Sequence, residues 1–232
     1  MSFQALLQNE AMVQALAMQN ITEPTAIQEQ VIPLLMEGKD VIGQAHTGSG
    51  KTLAYLCPVL SHIDSQSKQL QALVLAPTHE LVIQIHRQAQ LLCQNAKLDI
   101  RCQSIIGEAN INNQIAKLKE KPQLIIGTPG RILDLIKKRK INCQTIRTVI
   151  IDEMDNLLDN TNQQTVLDII KEIVYSVTGK KDLTLDTDFV KDLELNSFDI
   201  MNIVCAFEER FQITIPTRDV WKIHQVRDAV QY

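Results

Sequence analysis

The stretch AHTGSGKT at residues 45–52 decides the fold, and it follows the strand-like run DVIG at 40–43. Its glycines let the backbone curl so that several N–H groups face an anion. Lys51 is placed to reach the β- and γ-phosphates of a nucleotide, and the Thr52 hydroxyl to bind Mg²⁺. The strict motif has glycine where Ala45 stands, and the alternative is a Gly/Ser turn that happens to precede a lysine. The order of strand, loop and helix favours a phosphate-binding loop.

The composition is that of a globular protein with unpaired cysteines. The 232 residues are 45% hydrophobic and 22% charged, which suggests one large domain or two modest ones. No apolar run approaches the length of a membrane span, and the N-terminal residues lack the features of a secretion signal. The five cysteines form no C-x-x-C pair, which indicates a reducing compartment and no structural zinc. We therefore expect a cytoplasmic protein without a membrane partner.

Apolar segments with strand and helix periods alternate along the first two thirds of the chain. The strand candidates are 40–44, 71–76, 101–106, 123–127 and 146–151. The helix candidates are 3–18, 26–37, 51–63, 79–95, 110–119 and 129–138. This alternation predicts an α/β fold with a parallel sheet.

The pattern changes after the polar run NTNQQ at 160–164. Beyond it the hydrophobic spacing is helical only, which predicts a small bundle of four helices in 165–232. Residues 1–162 carry equal numbers of basic and acidic side chains, so residues 163–232 account for the whole net charge of −4. These shifts predict two modules with different partners.

Four further motifs surround the phosphate-binding loop: PTAIQ at 24–28, PTHEL at 77–81, TPGR at 128–131 and DEMD at 152–155. In this order and spacing they resemble the N-terminal RecA-like domain of DEAD-box RNA helicases, over residues 1–159. The resemblance implies a P-loop, RecA-like parallel sheet that binds ATP, Mg²⁺ and RNA.

The resemblance also implies which residues bind ATP. Gln28 is expected to recognise adenine together with Phe3. The full implied set is Phe3, Thr25, Gln28, Thr47, Gly48, Ser49, Gly50, Lys51 and Thr52. Thr52 and Asp152 are implied to hold Mg²⁺, partly through water, and Glu153 to orient or deprotonate the attacking water as a catalytic partner of Asp152. The alternative for Gln28 is a solvated helix residue, which the preceding Pro-Thr disfavours. The alternative for the acidic loop is a solvent-facing turn, which the apolar strand before it disfavours.

The remaining motifs are implied to contact the RNA backbone. They supply hydroxyls, helix N-termini and a guanidinium for phosphates and 2′-hydroxyls. The implied set is Pro77, Thr78, Gly107, Thr128, Pro129, Gly130 and Arg131. His79 stands where the family has arginine, and Glu108 where it has a second glycine. Both differences lower the positive character of this surface, so weak RNA binding is expected.

The resemblance to the helicase family ends at about residue 159, shortly after the DEMD motif. The family continues with a Ser-Ala-Thr strand, which lies between the phosphate-loop strand and the Asp-Glu strand, and with a second RecA-like domain carrying arginine fingers. We find neither, so we expect an incomplete sheet with unpaired backbone groups. An arginine finger contributes about 10³–10⁵ in rate. The chain is therefore not expected to unwind RNA alone, and ATP hydrolysis stays an open question.

Residues 165–232 resemble an acyl carrier protein, joined through a linker at 160–164. The motif DLELNSFD at 192–199 carries the resemblance. It implies that Ser197 holds a 4′-phosphopantetheine arm, attached by a phosphopantetheinyl transferase and loaded by acyl-transfer enzymes, as in fatty acid biosynthesis. From the residues alone, a helix N-cap is the simpler interpretation of Ser197.

Three hypotheses for the whole chain remain open. It is a nucleotide- and RNA-binding helicase fragment joined to a working carrier, or a carrier protein with a non-functional helicase remnant, or an accidental chimera. The change of pattern at 160–164 falls within the helicase fold and not at a domain boundary. That position favours the second and third hypotheses over a cooperating pair.

Overall fold

The computed structural model describes residues 2–46, 48–107, 109–157 and 162–178. The chain divides into two compact units, Met1–Val177 and Thr178–Tyr232. Nearly all of the description falls within the first unit. The predicted four-helix carrier bundle and its Ser197 lie outside the described residues.

The helices follow the sequence prediction closely. Those of the described residues are α1 (Phe3–Leu7), α2 (Glu10–Ala17), α3 (Ala26–Met36), α4 (Lys51–His62), α5 (His79–Asn95), α6 (Ile111–Leu118), α7 (Pro129–Lys137), α8 (Met154–Leu157) and α9 (Gln163–Thr178). The prediction of a single helix over 3–18 is wrong, because this segment forms two helices. It is divided because Gln8 adopts a left-handed φ of 49° and the Asn9 side chain caps α2 by accepting from the Met12 N–H at 3.2 Å.

Parallel strands form the centre of the described fold. They are β1 (Ala72–Leu75), β2 (Cys102–Ile105), β3 (Leu124–Gly127) and β4 (Thr148–Ile151), in the spatial order β2-β3-β1-β4. In the register, Leu73 lies beside Ile125 of β3 and Val149 of β4. Every residue of β1 and β3 is buried, as expected for central strands that helices cover on both faces. The predicted α/β fold with a parallel sheet is confirmed.

The sheet is open on the side where the phosphate-binding loop lies. β4 pairs with β1 alone among the described residues, so its other edge is unpaired. The strand predicted at 40–44 is wrong, since this segment has no ladder partner and Ile42 leaves 67% of its surface exposed. An apolar run becomes a strand only where a neighbour satisfies its N–H and C=O groups. In the described part of the chain the sheet therefore has four strands and ends at β4, and the missing strand stays a prediction.

Two hydrophobic clusters cover the two faces of the sheet. Val74 belongs to the cluster formed with α1 to α5, and Leu73 and Leu75 belong to the cluster formed with α7 and α9. This division follows from the alternation of side chains along a strand. None of the described helices combines the length and apolar character that crossing a membrane requires.

Helix α9 lies in the first compact unit. Its residues Val166 and Ile169 are fully buried in the second cluster, and Ile173 is 8% exposed. The sequence predicted these same apolar positions as part of the carrier core. The domain boundary at 160–164 stays a prediction.

Candidate functional site

The candidate site residues lie where the parallel strands end. α5 begins four residues after the end of β1 and α7 two residues after the end of β3. The acidic motif DEMD begins directly after β4. Because all four strands are parallel, these segments meet at the carboxyl edge of the sheet, where open α/β folds bind ligands.

The phosphate-binding loop has the backbone that its glycines predicted. Gly48 and Gly50 have positive φ angles of 84° and 93°. α4 begins at Lys51 without a side-chain cap, so its first-turn N–H groups are available to an anion. Ser49 Oγ is buried and has no hydrogen-bond partner among the described atoms. An uncapped helix and an orphaned hydroxyl fit a phosphate group, while Thr47 lies outside the described residues.

The ammonium group of Lys51 turns back over the loop. Its Nζ donates a hydrogen bond to the carbonyl of Ala45, six residues earlier. This contact holds the positive charge beside the loop and not out in solvent. A bound phosphate can displace the Ala45 carbonyl from Lys51, because a hydrogen bond between two charged groups is stronger than one to a neutral carbonyl.

Gln28 reaches the loop through its side-chain amide. Its Nε2 donates to the Gly50 carbonyl over 3.1 Å, and its Oε1 accepts from the Thr25 N–H over 2.9 Å. Gln28 is only 1% exposed. The alternative of a solvated Gln28 is thus excluded here, although both ends of its amide are already engaged. Phe3 is 2% exposed and packs in the first hydrophobic cluster.

Asp152 lies at the end of β4 and is tied to helix α4. Its Oδ2 accepts from the Tyr55 hydroxyl at 2.8 Å, and its Oδ1 accepts from the Glu153 N–H at 2.9 Å. Glu153 has a left-handed φ of 48°, so the chain turns sharply as it leaves the strand. Burial raises the pKa of Tyr55 far above its usual value, and the negative charge of Asp152 raises it further. Tyr55 therefore remains a neutral donor.

Sequence reasoning missed Tyr55, which contacts two of the predicted site residues. Besides Asp152, the Thr52 side chain interacts with the Tyr55 hydroxyl. The only sequence signal is spacing, since a residue three positions after Thr52 shares its face of the helix. Thr52 and Asp152 offer the oxygen ligands that Mg²⁺ prefers. Within the described ranges no three His, Cys, Asp or Glu residues form a metal cluster, so Mg²⁺ would need nucleotide oxygens and water as well.

The predicted RNA residues at β1 and β2 are brought together. The Thr78 hydroxyl caps α5 by accepting from the Leu81 N–H at 3.2 Å. The Gly107 N–H donates to His79 Nε2 at 3.3 Å, which joins the start of α5 to the end of β2. Pro77 immediately precedes this cap and is partly exposed.

Arg131 completes this junction from helix α7. Its guanidinium donates to the backbone carbonyl of Gly107 and to that of Ala109, the second at 3.0 Å. Thr128 is 9% exposed and Pro129 is buried at the first turn of α7. A Cβ added at Gly130 would meet nothing within 4 Å, so this helix start faces open space. The exposed surface here is therefore backbone, with Arg131 beside it.

Two family models match the chain. The model of the DEAD/DEAH box helicase family matches residues 25–185, and the model described as a phosphopantetheine attachment site matches residues 165–232. The two ranges overlap over residues 165–185, which include most of α9.

Curated relatives of this chain include RNA helicases of two Bacillus species. The DEAD-box ATP-dependent RNA helicase CshC of Bacillus cereus is 38% identical over 81% of this chain and 52% of its own length. The probable ATP-dependent RNA helicase YfmL of Bacillus subtilis is 42% identical over 69% of this chain and 44% of its own. The chain thus spans about half the length of the curated relatives it matches.

Solved structures with the same fold come from yeast. One is S. cerevisiae Dbp5 bound to RNA and ADP BeF3, with a TM-score of 0.67 and 28% identity over 74% of this chain and 43% of that one. Another is the DEAD-box splicing factor Prp28, with a TM-score of 0.68 and 28% identity over 74% of this chain and 42% of that one. With a parallel α/β sheet, a phosphate-binding loop and a family model that covers more than half of its length, the chain belongs to the DEAD/DEAH box helicase family.

Proposed function

We propose that residues 1–159 bind Mg·ATP and RNA, and that residues 165–232 form a carrier whose Ser197 holds 4′-phosphopantetheine. The observation that best supports nucleotide binding is the structure of the phosphate-binding loop. Its positive-φ glycines, its uncapped α4 and the orphaned Ser49 hydroxyl together form an anion site. The linker at 160–164 remains part of this proposal.

In this proposal the loop binds the phosphates and neighbouring residues complete the site. Lys51 leaves the Ala45 carbonyl to pair with the β- and γ-phosphates. Thr52 and Asp152 hold Mg²⁺, which when bound neutralises phosphate charge and orients the terminal phosphoryl group. Glu153 follows Asp152 at a sharp turn and is placed to orient or deprotonate water. Gln28 exchanges one of its internal hydrogen bonds for the adenine edge, with Thr25 and Phe3 in support.

RNA binding in this proposal is a backbone interaction at the ends of β1, β2 and β3. Thr78, Gly107, Thr128 and Gly130 offer N–H and hydroxyl donors there, and Arg131 offers positive charge. Arg131 has donors beyond those that hold Gly107 and Ala109, since a guanidinium carries five N–H groups. The structure of S. cerevisiae Dbp5 bound to RNA and ADP BeF3, which has the same fold, supports this assignment.

We expect ATP binding and at most slow hydrolysis from these 232 residues, without unwinding of RNA. Unwinding in this family requires closure of two RecA-like domains, and this chain matches one. The alternatives are a carrier protein with a non-functional helicase remnant and an accidental chimera. A folded loop that fails to bind nucleotide would favour these alternatives. We place the protein in the cytoplasm.

Thermal unfolding with and without Mg·ATP tests the nucleotide half. A ligand that binds only the folded state stabilises it by RT ln(1 + [L]/Kd), which is about 2.7 kcal/mol at a hundredfold excess over Kd. We expect Mg·ATP to raise the unfolding temperature of the parent chain and of Lys39→Ala, and not of Lys51→Ala. Lys39 is the matched control because it is an exposed lysine outside the loop, paired with Glu37. An equal rise in all three proteins would contradict the site.

The carrier half is tested by mass spectrometry of the full chain. Incubation with coenzyme A and a phosphopantetheinyl transferase should add one phosphopantetheine group to the parent and to Ser176→Ala, and none to Ser197→Ala. Ser176 is the control because its hydroxyl only donates to the Ile173 carbonyl within α9. An unmodified parent, or a modified Ser197→Ala, would show that the carrier assignment is wrong.

A further inference from the structure

We propose that Tyr55 is a positioning residue that fixes the Asp152 carboxylate relative to Thr52, so that one Mg²⁺ ion can be held between them. This inference rests on the proposed function, since it concerns the Mg²⁺ that accompanies ATP. Tyr55 belongs to none of the motifs that identify the family in this sequence. Its assignment comes from the contacts of its hydroxyl.

The Tyr55 hydroxyl links two distant parts of the chain. Tyr55 is on the second turn of α4, three positions after Thr52, and Asp152 is 97 positions away in the chain. The 2.8 Å hydrogen bond between them is buried, with each residue 8% exposed. A buried hydrogen bond to a carboxylate is strong and directional. It therefore restricts the rotation of Asp152.

Apart from the Tyr55 hydroxyl, the described residues provide few polar links between α4 and the end of β4. β4 is an edge strand that pairs with β1 alone in the described part of the chain, and residues 39–46 form no ladder with it. Among the described residues, no backbone hydrogen bond joins α4 or its loop to β4. After Asp152 the chain turns sharply at Glu153, with φ 48°. The Tyr55 hydroxyl thus supplies the polar link that the open sheet lacks.

The Asp152 carboxylate still has lone pairs with which it can bind a metal ion. Each carboxylate oxygen has two lone pairs, and Oδ1 and Oδ2 each accept one protein hydrogen bond. Oxygen ligands of metal ions are commonly held in this way by a second hydrogen bond. Tyr55 is a positioning residue here, because it acts through Asp152.

The test is Tyr55→Phe, which removes the hydroxyl and keeps the ring that fills the core. A fluorescent ATP analogue is titrated at several Mg²⁺ concentrations and in EDTA. We expect the variant to need about tenfold more Mg²⁺ for half-maximal binding, with its affinity in EDTA unchanged. Tyr175→Phe, a tyrosine on α9 that is 37% exposed, should behave as the parent does. The same Mg²⁺ dependence in Tyr55→Phe and in the parent would overturn the inference.

A double-mutant cycle separates positioning from loss of folding. In an Asp152→Ala background, Tyr55→Phe should change nothing further if the hydroxyl acts through that carboxylate. A further loss there, or an equal loss of affinity in EDTA and in Mg²⁺, would mean a merely structural role and would overturn the inference. If the parent itself bound no nucleotide, the proposed function would fail as well. If the parent bound and Tyr55→Phe matched it, only this inference would fail.

Discussion

The Gln28 side-chain amide donates to the Gly50 carbonyl over 3.1 Å, which joins helix α3 directly to the phosphate-binding loop. The contact exists because Gly50 has no side chain. A Cβ at that position would lie 2.5 Å from Gln28 Nε2 and 3.1 Å from Thr25 Oγ1. A side chain at residue 50 would therefore displace Gln28 from its contact with the phosphate-binding loop.

The first prediction concerns this fit. Gly50→Ala should weaken binding of an ATP analogue by at least about tenfold, because the new Cβ displaces Gln28 and the φ of 93° is strained for alanine. Gly48→Ala is the matched control, since its φ is 84° and its Cβ would meet nothing within 4 Å. Equal losses in the two variants, measured by fluorescence titration, would mean that backbone strain alone matters.

The second prediction concerns the end of β3. Gly127→Ala should lower the free energy of unfolding by about 1–3 kcal/mol, because its Cβ would lie 2.7 Å from the Ile105 carbonyl and from Ile132 Cδ1. Gly130→Ala should leave the free energy within about 0.5 kcal/mol, since that position faces open space. Urea unfolding followed by circular dichroism measures both. Similar stabilities for the two variants would contradict the packing described here.

The third prediction concerns helix α9 and the domain boundary. Ile169 is fully buried in the second hydrophobic cluster, whereas Leu167 is 41% exposed. Ile169→Asp should therefore lower the free energy of unfolding of the first compact unit, Met1–Val177, by about 3 kcal/mol or more. Leu167→Asp should have little effect.

Trp221 fluorescence shows which of the two compact units the Ile169→Asp substitution destabilises. Trp221 is the chain's single tryptophan and lies in the second compact unit, Thr178–Tyr232, so its fluorescence reports on that unit. If Ile169→Asp altered only the tryptophan transition and spared Mg·ATP binding, α9 would belong to the carrier alone, as the sequence boundary predicts. Loss of nucleotide binding would show that α9 supports the first unit.

The fourth prediction concerns pH. Burial lowers the pKa of His86, and the nearby positive charge of Lys117 lowers it further, despite a hydrogen-bond contact of 3.0 Å with the Cys102 carbonyl. The folded state therefore keeps His86 neutral while the unfolded chain takes up a proton near its ordinary pKa of about 6.5. The stabilisation is present above that pH and is lost as the pH falls through the lower pKa of the folded state.

Guanidinium unfolding at neutral and mildly acidic pH measures this effect. We expect His86→Gln to lose less stability on acidification than the parent does. His62→Gln, at the exposed end of α4, is the matched control and should follow the parent. An unchanged pH dependence in His86→Gln would contradict the assignment to this histidine.

Local patterns in the sequence predicted most of the elements, and nonlocal contacts account for what they missed. α5 and α7 were predictable because Thr78 and Thr128 begin them and apolar residues repeat along one face. The segment 40–44 has the right side chains for a strand but no neighbouring strand to pair with. The Tyr55 contact with Asp152 joins residues 97 positions apart, which no local pattern encodes.

The motifs predicted candidate site residues but not the internal contacts that these residues make. The motifs predict that Gln28 and Arg131 meet a ligand, and the structure places Gln28 against the phosphate-binding loop and Arg131 against the segment after β2. It also shows that each already bonds to backbone carbonyls, of Gly50 for Gln28 and of Gly107 and Ala109 for Arg131. A sequence motif indicates which side chains contact a ligand. It does not indicate which internal hydrogen bonds those side chains must break to do so.

Calorimetric titration of the full chain with Mg·ATP tests the central claim most directly. The account predicts saturable binding at one site per chain, lost in Lys51→Ala and retained in Lys39→Ala. That result would mean that the open, four-stranded sheet still forms a working phosphate site. The absence of saturable heat from the parent, while circular dichroism shows it folded, would contradict the account and favour a carrier protein with a non-functional helicase remnant.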